Sequence, residues 1–179
     1  MRYIFLVGPR ACGKTTIGRE LARAAHWPLL DTDALLYERC GAPVSDIVAI
    51  EGWEGFRRRE TGVLRSVVDD KGAGTCVVST GGGIVLAAEN RAMLREHGVV
   101  VYLHVPEAEL VRRLTNSPLL SQRPSLTGRN VAEEAAEVAR QRDPIYRETA
   151  HHVVEAHRSV DEIVTEIRHL VSKQTSNFK

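Results

Sequence analysis

Residues 3–18, YIFLVGPRACGKTTIG, join a short apolar run to a glycine-containing turn and then to a helical pattern. Gly8, Gly13, Lys14 and Thr15 meet the spacing G-x-x-x-x-G-K-S/T. The glycines permit backbone conformations and close approaches that a Cβ would block. The loop N–H groups can then turn toward phosphate oxygens, and the helix that follows adds its positive N-terminal end. In such a loop Lys14 reaches the β- and γ-phosphates of a nucleotide and Thr15 offers its hydroxyl to Mg²⁺. A buried strand before the turn and a strong helix after it separate this reading from a chance match.

The same alternation runs outward along the chain. YIFLVG, PLLD, TCVVST, VVVYLHV and HHVVEA read as short strands. Between them lie helical patterns: one with Ile17, Leu21, Ala24 and Ala25 on one face, and one from Ala34 to Val68, broken near Gly41-Ala42-Pro43 and at Gly52. Others run from Leu86 to His97, after Pro106, from Val131 to Ala150, and over SVDEIVTEIRHLVSK. Ser45 suits an N-cap, and QTSNFK reads as a frayed tail. Residues 117–130, SPLLSQRPSLTGRN, have no clear period and are expected to form a mobile lid. Apolar strands separated by helices predict an α/β fold of three layers, a five-stranded parallel sheet with helices on both faces. No repeat or linker divides the 179 residues, so one domain is expected, 1–179. Ligands of such sheets bind beyond the carboxyl ends of the strands. Gly8 onward, Asp31 to Asp33 and Gly81 to Gly83 all follow strand ends and are expected to face one crevice.

Bulk properties exclude several classes. A net charge of +1 gives no basic field for nucleic acid. Cys12, Cys40 and Cys76 form no paired spacing, which argues against a disulfide framework or a zinc site. No apolar run approaches the roughly 18–20 residues of a membrane span. A cytoplasmic monomer with small-molecule substrates is expected, with neither nucleic acid nor membrane as partner. A guanine reader of the N-K-x-D type is absent. TCVVST ends in Ser79 and Thr80, without the acid that hydrolytic motors carry at this place. A small kinase remains, which needs an acceptor pocket and a lid against water.

Three stretches can supply that pocket. Asp31 and Asp33 in DTD can share one face of a strand end, one near Mg²⁺ and one at an acceptor hydroxyl. Asp33 is equally a good N-cap for ALLYERC, and the residues alone leave both open. In FRRRE, residues 56–60, Arg57, Arg58 and Arg59 point in different directions around a helix, so one or two at most serve a pocket. An arginine fork suits a carboxylate. In STGGG, residues 79–83, the missing side chains allow either a tight turn or a ligand against the backbone. Cys12 inside the phosphate loop is either an inert filler or an oxidisable thiol. His151 and His152 have no carboxylate at catalytic spacing.

GPRACGKTTIGRELA, DTD, EGWEGFRRRE, STGGGIVL, VVYLHVP, QRPSLTGR and RDPIYRETA, in this order, resemble shikimate kinase, from about Tyr3 to Ile167. The resemblance implies a P-loop kinase fold that transfers the γ-phosphoryl group of MgATP to the 3-hydroxyl of shikimate, in aromatic amino acid biosynthesis. It places Thr15 and Asp31 at Mg²⁺, and Asp33 at the shikimate hydroxyls within an acceptor-binding helical region of about 33–62. It places Arg57 and Arg142 at the shikimate carboxylate, with Gly81 and Gly82 contributing backbone contacts. The nucleotide side takes Gly8, Ala11, Cys12, Gly13, Lys14, Thr15 and Thr16, with Arg113 and with Arg123 of the lid. Lys14, Asp33 and Arg123 are the expected catalytic groups. Aspartate is a weak base at neutral pH, so orientation by Asp33 weighs more than proton removal. Residue chemistry by itself leaves gluconate or a nucleoside monophosphate open as acceptor, and also a nucleotide-binding regulator with no acceptor.

Overall fold

The structure, a computed structural model, describes residues 2–70, 74–116 and 131–176. In chain order the elements are β1 (Arg2–Val7), α1 (Lys14–Ala25), β2 (Leu29–Asp31), α2 (Thr32–Cys40), α3 (Val44–Asp69) and β3 (Thr75–Ser79). A 3-10 turn (Ile84–Leu86) follows, then α4 (Ala88–His97), β4 (Gly98–His104), α5 (Glu107–Thr115), α6 (Val131–Thr149), β5 (His152–Glu155) and α7 (Val160–Ser176).

The strands pair in parallel in the order β2-β3-β1-β4-β5. β1 is central because both of its faces are apolar. Ile4 and Leu6 pack with Ile17 and Leu21 of α1 and Ile163 and Ile167 of α7. Tyr3, Phe5 and Val7 pack on the other face with Leu64 and Val67 of α3, Leu94 of α4 and Tyr146 of α6. Burying each such side chain contributes roughly 1.5–3 kcal/mol before chain entropy is subtracted. This is the three-layer α/β arrangement expected from the sequence.

The chain leaves β1 toward β2 on one side, and leaves β3 toward β4 on the other, crossing over β1. The loops after β1 and β3 therefore diverge. Parallel sheets open a ligand crevice at such a switch point.

Several local expectations shift. α2 starts at Thr32, and its N-cap is Asp31, whose carboxylate accepts from the N–H groups of Asp33 and Ala34. Asp33 is therefore not the cap. α3 starts at Val44 after Pro43. Ser45 then lies inside the first turn, with its hydroxyl donating to Asp46, so it is not the cap either. Pro fixes φ near the helical value and lacks the N–H that a first turn leaves unpaired. α3 is broken at Gly52, where φ is 68° and ψ 177°, as the interrupted pattern indicated. The pattern beginning at Leu86 resolves into the 3-10 turn and then α4 from Ala88. The last helix extends to Ser176, into the stretch expected to fray. The lid expectation, with Arg123, lies outside the described residues, as do Lys71 to Ala73. No helix among the described residues is long and apolar enough to cross a membrane.

Candidate active site

At the switch point lies a crevice of about 800 Å³. The three strand-end clusters meet there: Pro9 to Ala11 and Gly13 to Thr16, then Asp31 and Asp33, then Ser79 to Gly83. Arg57 and Glu60 of α3, Arg113 of α5, and Arg142 and Tyr146 of α6 complete the walls.

One end is built around the start of α1. Gly13 is the N-cap, no side chain caps it, and the first turn holds no acid. The first N–H groups of the helix are thus left for an anion. Lys14 Nζ donates to the carbonyls of Gly8 (2.9 Å) and Pro9 (2.8 Å), which holds its ammonium inside the loop. Gly8 has φ +147°, and a Cβ there would meet Cys12 Sγ at 2.8 Å and the Leu103 carbonyl at 2.9 Å. Only glycine fits both the angle and the space. Ala11 takes a left-handed φ of 64°, a strained conformation of the kind found at ligand loops. Arg113 ties this loop to two neighbours: its guanidinium donates to the Ala11 and Ala156 carbonyls and pairs with Glu109. Cys12 is fully buried in the core with Ile17 and Leu21. That packing makes it a filler beneath the loop. Gly8 and Cys12 thus support the loop from below, whereas Ala11, Gly13, Lys14, Thr15 and Thr16 line the crevice.

Beside Lys14 three oxygen-bearing side chains converge. Thr15 Oγ1 donates to Asp31 Oδ2 at 3.1 Å and lies 3.4 Å from Ser79 Oγ. Among the described residues no group of three His, Cys, Asp or Glu side chains could hold a metal by itself. A hydroxyl and one carboxylate is the sparse, all-oxygen donor set that suits Mg²⁺ shared with phosphate and water. Asp31 thus serves both the helix cap and this cluster, and Asp33 faces the crevice from the first turn of α2.

The other end is built on α3, the glycine triplet and α6. Of the three arginines, Arg58 pairs with Glu54 and Arg59 with Glu51, both toward solvent. Arg57 alone lines the crevice. Its guanidinium lies over the Trp53 and Phe56 rings, 5.6 and 5.1 Å from their centroids, and NH1 donates to Glu60 Oε2 at 2.5 Å. Glu60 is only 2% exposed. Its Oε1 has no hydrogen-bond partner among the described residues. Burial pushes the Glu60 carboxyl above its ordinary value, Arg57 opposes this, and nearby Asp33 adds to the rise.

Each glycine of the triplet answers to a different neighbour. A Cβ at Gly81 would sit 2.5 Å from Glu60 Oε1 and 2.8 Å from Asp33 Oδ1. One at Gly83 would sit 2.0 Å from the Arg57 guanidinium. At Gly82 the position faces the Gly8–Arg10 backbone at 3.5–3.8 Å, so the two ends of the crevice touch here. The triplet is pinned from several sides. Thr80 N–H and Oγ1 donate to the Leu6 carbonyl. Gly81 N–H donates to Thr32 Oγ1 at 3.0 Å. The Gly82 carbonyl accepts from Tyr146 (2.5 Å) and Arg142 (3.3 Å).

All expected site residues within the described chain except Gly8 and Cys12 therefore line one crevice. Glu60 and Tyr146 were not assigned from sequence. The i,i+3 spacing of Arg57 and Glu60 and the i,i+4 spacing of Arg142 and Tyr146 were the available signals. His151 accepts the Val100 N–H at 3.0 Å, far from the crevice.

The family model described as shikimate kinase matches residues 10–172. The chain is 50% identical over 164 residues to shikimate kinase 2 of Enterobacter sp. (strain 638), covering 92% of each. It is 53% identical over 156 residues to a shikimate kinase of Oleidesulfovibrio alaskensis, covering 87% of this chain and 89% of that one. A solved shikimate kinase from Acinetobacter baumannii, in complex with shikimate, superposes with a TM-score of 0.86 at 34% identity, covering 97% of this chain and 94% of that one.

Proposed function

The chain belongs to the shikimate kinase family, and from that premise we propose that its crevice binds ATP at the α1 end and shikimate at the α3–α6 end. The reaction is transfer of the γ-phosphoryl group to the 3-hydroxyl of shikimate, giving ADP and shikimate 3-phosphate. One observation carries this reading. Arg57, Arg142 and Asp33 line the same crevice as the uncapped start of α1 and Lys14. Two guanidinium groups and one carboxylate are the complement of a polyhydroxylated acid.

The α1 N–H groups and Lys14 hold the phosphates and stabilise the charge on the transferring group, which is most of what phosphoryl transfer demands of a protein. Thr15 and Asp31 are the residues to hold Mg²⁺, which supplies further neutralisation of phosphate charge when bound. Asp33 orients the acceptor hydroxyl, a role that weighs more than taking its proton because aspartate is a weak base at neutral pH. Arg57 and Arg142 fix the carboxylate and so the ring. Gly81 and Gly82 form the backbone floor under it. Arg113 holds the wall of the nucleotide end, and Arg123, which lies outside the described residues, is assigned to the ATP phosphates from the family resemblance. A near-neutral chain of this size, with no apolar span, fits a cytoplasmic monomer acting on small molecules.

The test is ADP release from MgATP with shikimate, gluconate or AMP added singly, and with none. Turnover is expected with shikimate alone. Equal turnover with gluconate, or turnover without acceptor, refutes the reading. Lys14→Met is expected to lower kcat at least about 100-fold, the scale of losing one preorganised charge donor.

A further inference from the structure

The glycine triplet has no side chains with which to hold its own shape. The Gly81 carbonyl accepts from Ile84 N–H and the Gly83 carbonyl from Leu86 N–H, inside the 3-10 turn. The carbonyl between them, that of Gly82, accepts instead from α6, through the Tyr146 hydroxyl at 2.5 Å and Arg142 at 3.3 Å. Tyr146 is fully buried. Its ring stacks on Tyr102 with centroids 4.9 Å apart. Tyr102 is anchored on the far side by its own hydroxyl, which donates to Asp143 at 2.9 Å.

From this geometry we propose that Tyr146 is a positioning residue of the acceptor pocket: its hydroxyl sets the Gly82–Gly83 peptide and takes the shorter of the two bonds to the Gly82 carbonyl, so that Arg142, held there only by NH1 at 3.3 Å, keeps its other donors for the carboxylate of the acceptor. Without that hydroxyl, Arg142 is the one remaining donor to this carbonyl among the described residues. The guanidinium would then be drawn to the backbone and away from the ligand. The peptide plane would also be freed, and in a trans peptide the Gly83 N–H turns with the Gly82 carbonyl. Gly83 is the residue against which Arg57 lies, so both carboxylate-directed arginines depend on this one peptide. Burial raises the Tyr146 phenol well above its ordinary value, so it stays a donor at any working pH.

The proposal rests on the reading of Arg142 as a carboxylate ligand, and the experiment separates the two. Tyr146→Phe keeps the ring stack and removes only the donor. Tyr102→Phe removes the other hydroxyl of the same stack, one that donates to Asp143 and does not border the crevice. Shikimate KM is expected to rise about tenfold in Tyr146→Phe, the scale of one lost hydrogen bond that orients a charged group, with ATP KM within about twofold. Tyr102→Phe should move neither. Amide hydrogen exchange over residues 80–86 should quicken in Tyr146→Phe and not in Tyr102→Phe. An unchanged shikimate KM, or an equal rise in both variants, overturns the proposal. If the unaltered protein does not turn over shikimate, the proposed function falls. In that case unchanged exchange over residues 80–86 overturns the positioning role as well, and faster exchange there sustains it.

Discussion

Glu60 is an almost fully buried carboxylate whose one hydrogen-bond partner among the described residues is Arg57. Desolvation raises its pKa above the ordinary 4.5, with Arg57 opposing. The folded chain therefore keeps the Glu60 proton to a higher pH than the unfolded chain does. Between 4.5 and the raised value the folded state binds more protons, so this residue's contribution to stability falls as pH rises. Glu60→Gln removes that dependence. Chemical denaturation from pH 4 to pH 7 should show the variant gaining on the unaltered protein as pH rises, and a flat difference would refute a buried charge here. An amide also holds a guanidinium less firmly than a carboxylate does, so shikimate KM should rise about 5- to 20-fold with ATP KM unmoved. Residue chemistry alone made Arg57 one of three candidates, and only the family resemblance singled it out. What decides it is which arginine meets a buried acid and two aromatic rings, and that is a property of packing. Asp31 and Asp33 show the same limit: both belong to one short string, yet the chain's turn into α2 gives the cap to the first and sets the second in the crevice wall.

At the scale of elements, the loop after β3 and helix α3 are one unit held together by missing side chains. Gly83→Ala puts a methyl where the Arg57 guanidinium lies, at 2.0–2.3 Å from its atoms. That guanidinium is the end of a flexible side chain, so it swings away rather than distorting the backbone. Two consequences follow. Shikimate KM should rise by about tenfold or more, as for a lost charge-assisted contact. Glu60 loses its partner, so stability should fall more at pH 7 than at pH 4. Adding Glu60→Gln should restore stability at pH 7 without restoring KM, which distinguishes this coupling from simple overpacking. Steady-state kinetics and denaturation of the single and double variants measure both. Element types were legible because apolar runs, helical periods and breaks at Gly52 and residues 41–43 are local signals. The strand order was not, because nothing local states that β1 lies between β3 and β4. The Ser45 cap failed for a related reason: Pro43 with an extended ψ of 159° takes the cap, and the helix begins two residues sooner.

The whole molecule contributes the fact that the crevice exists only when distant segments are brought together. Residues 9–11, 13–16, 31, 33, 57, 60, 79–83, 113, 142 and 146 all border it. Nothing of it survives unfolding, so a ligand that fits binds the folded chain alone and raises its stability by mass action. At a concentration 100 times its Kd, a single ligand contributes about 2.7 kcal/mol. For a chain of this length that is a rise in Tm of about 5–10 °C. Shikimate without nucleotide should give such a shift by calorimetry, and gluconate at the same concentration should give none. The shift with shikimate should shrink in Glu60→Gln, whereas the shift with MgATP should not, because Glu60 lies at the acceptor end. Chelating the metal should shrink the ATP shift alone, because Thr15 and Asp31 lie at the donor end. Because Gly82 rests on the Gly8–Arg10 backbone, the two ends share a wall and their shifts need not add. Equal shifts with gluconate and shikimate would mean that the arginine pair selects any small sugar acid, and the acceptor assignment would have to be withdrawn.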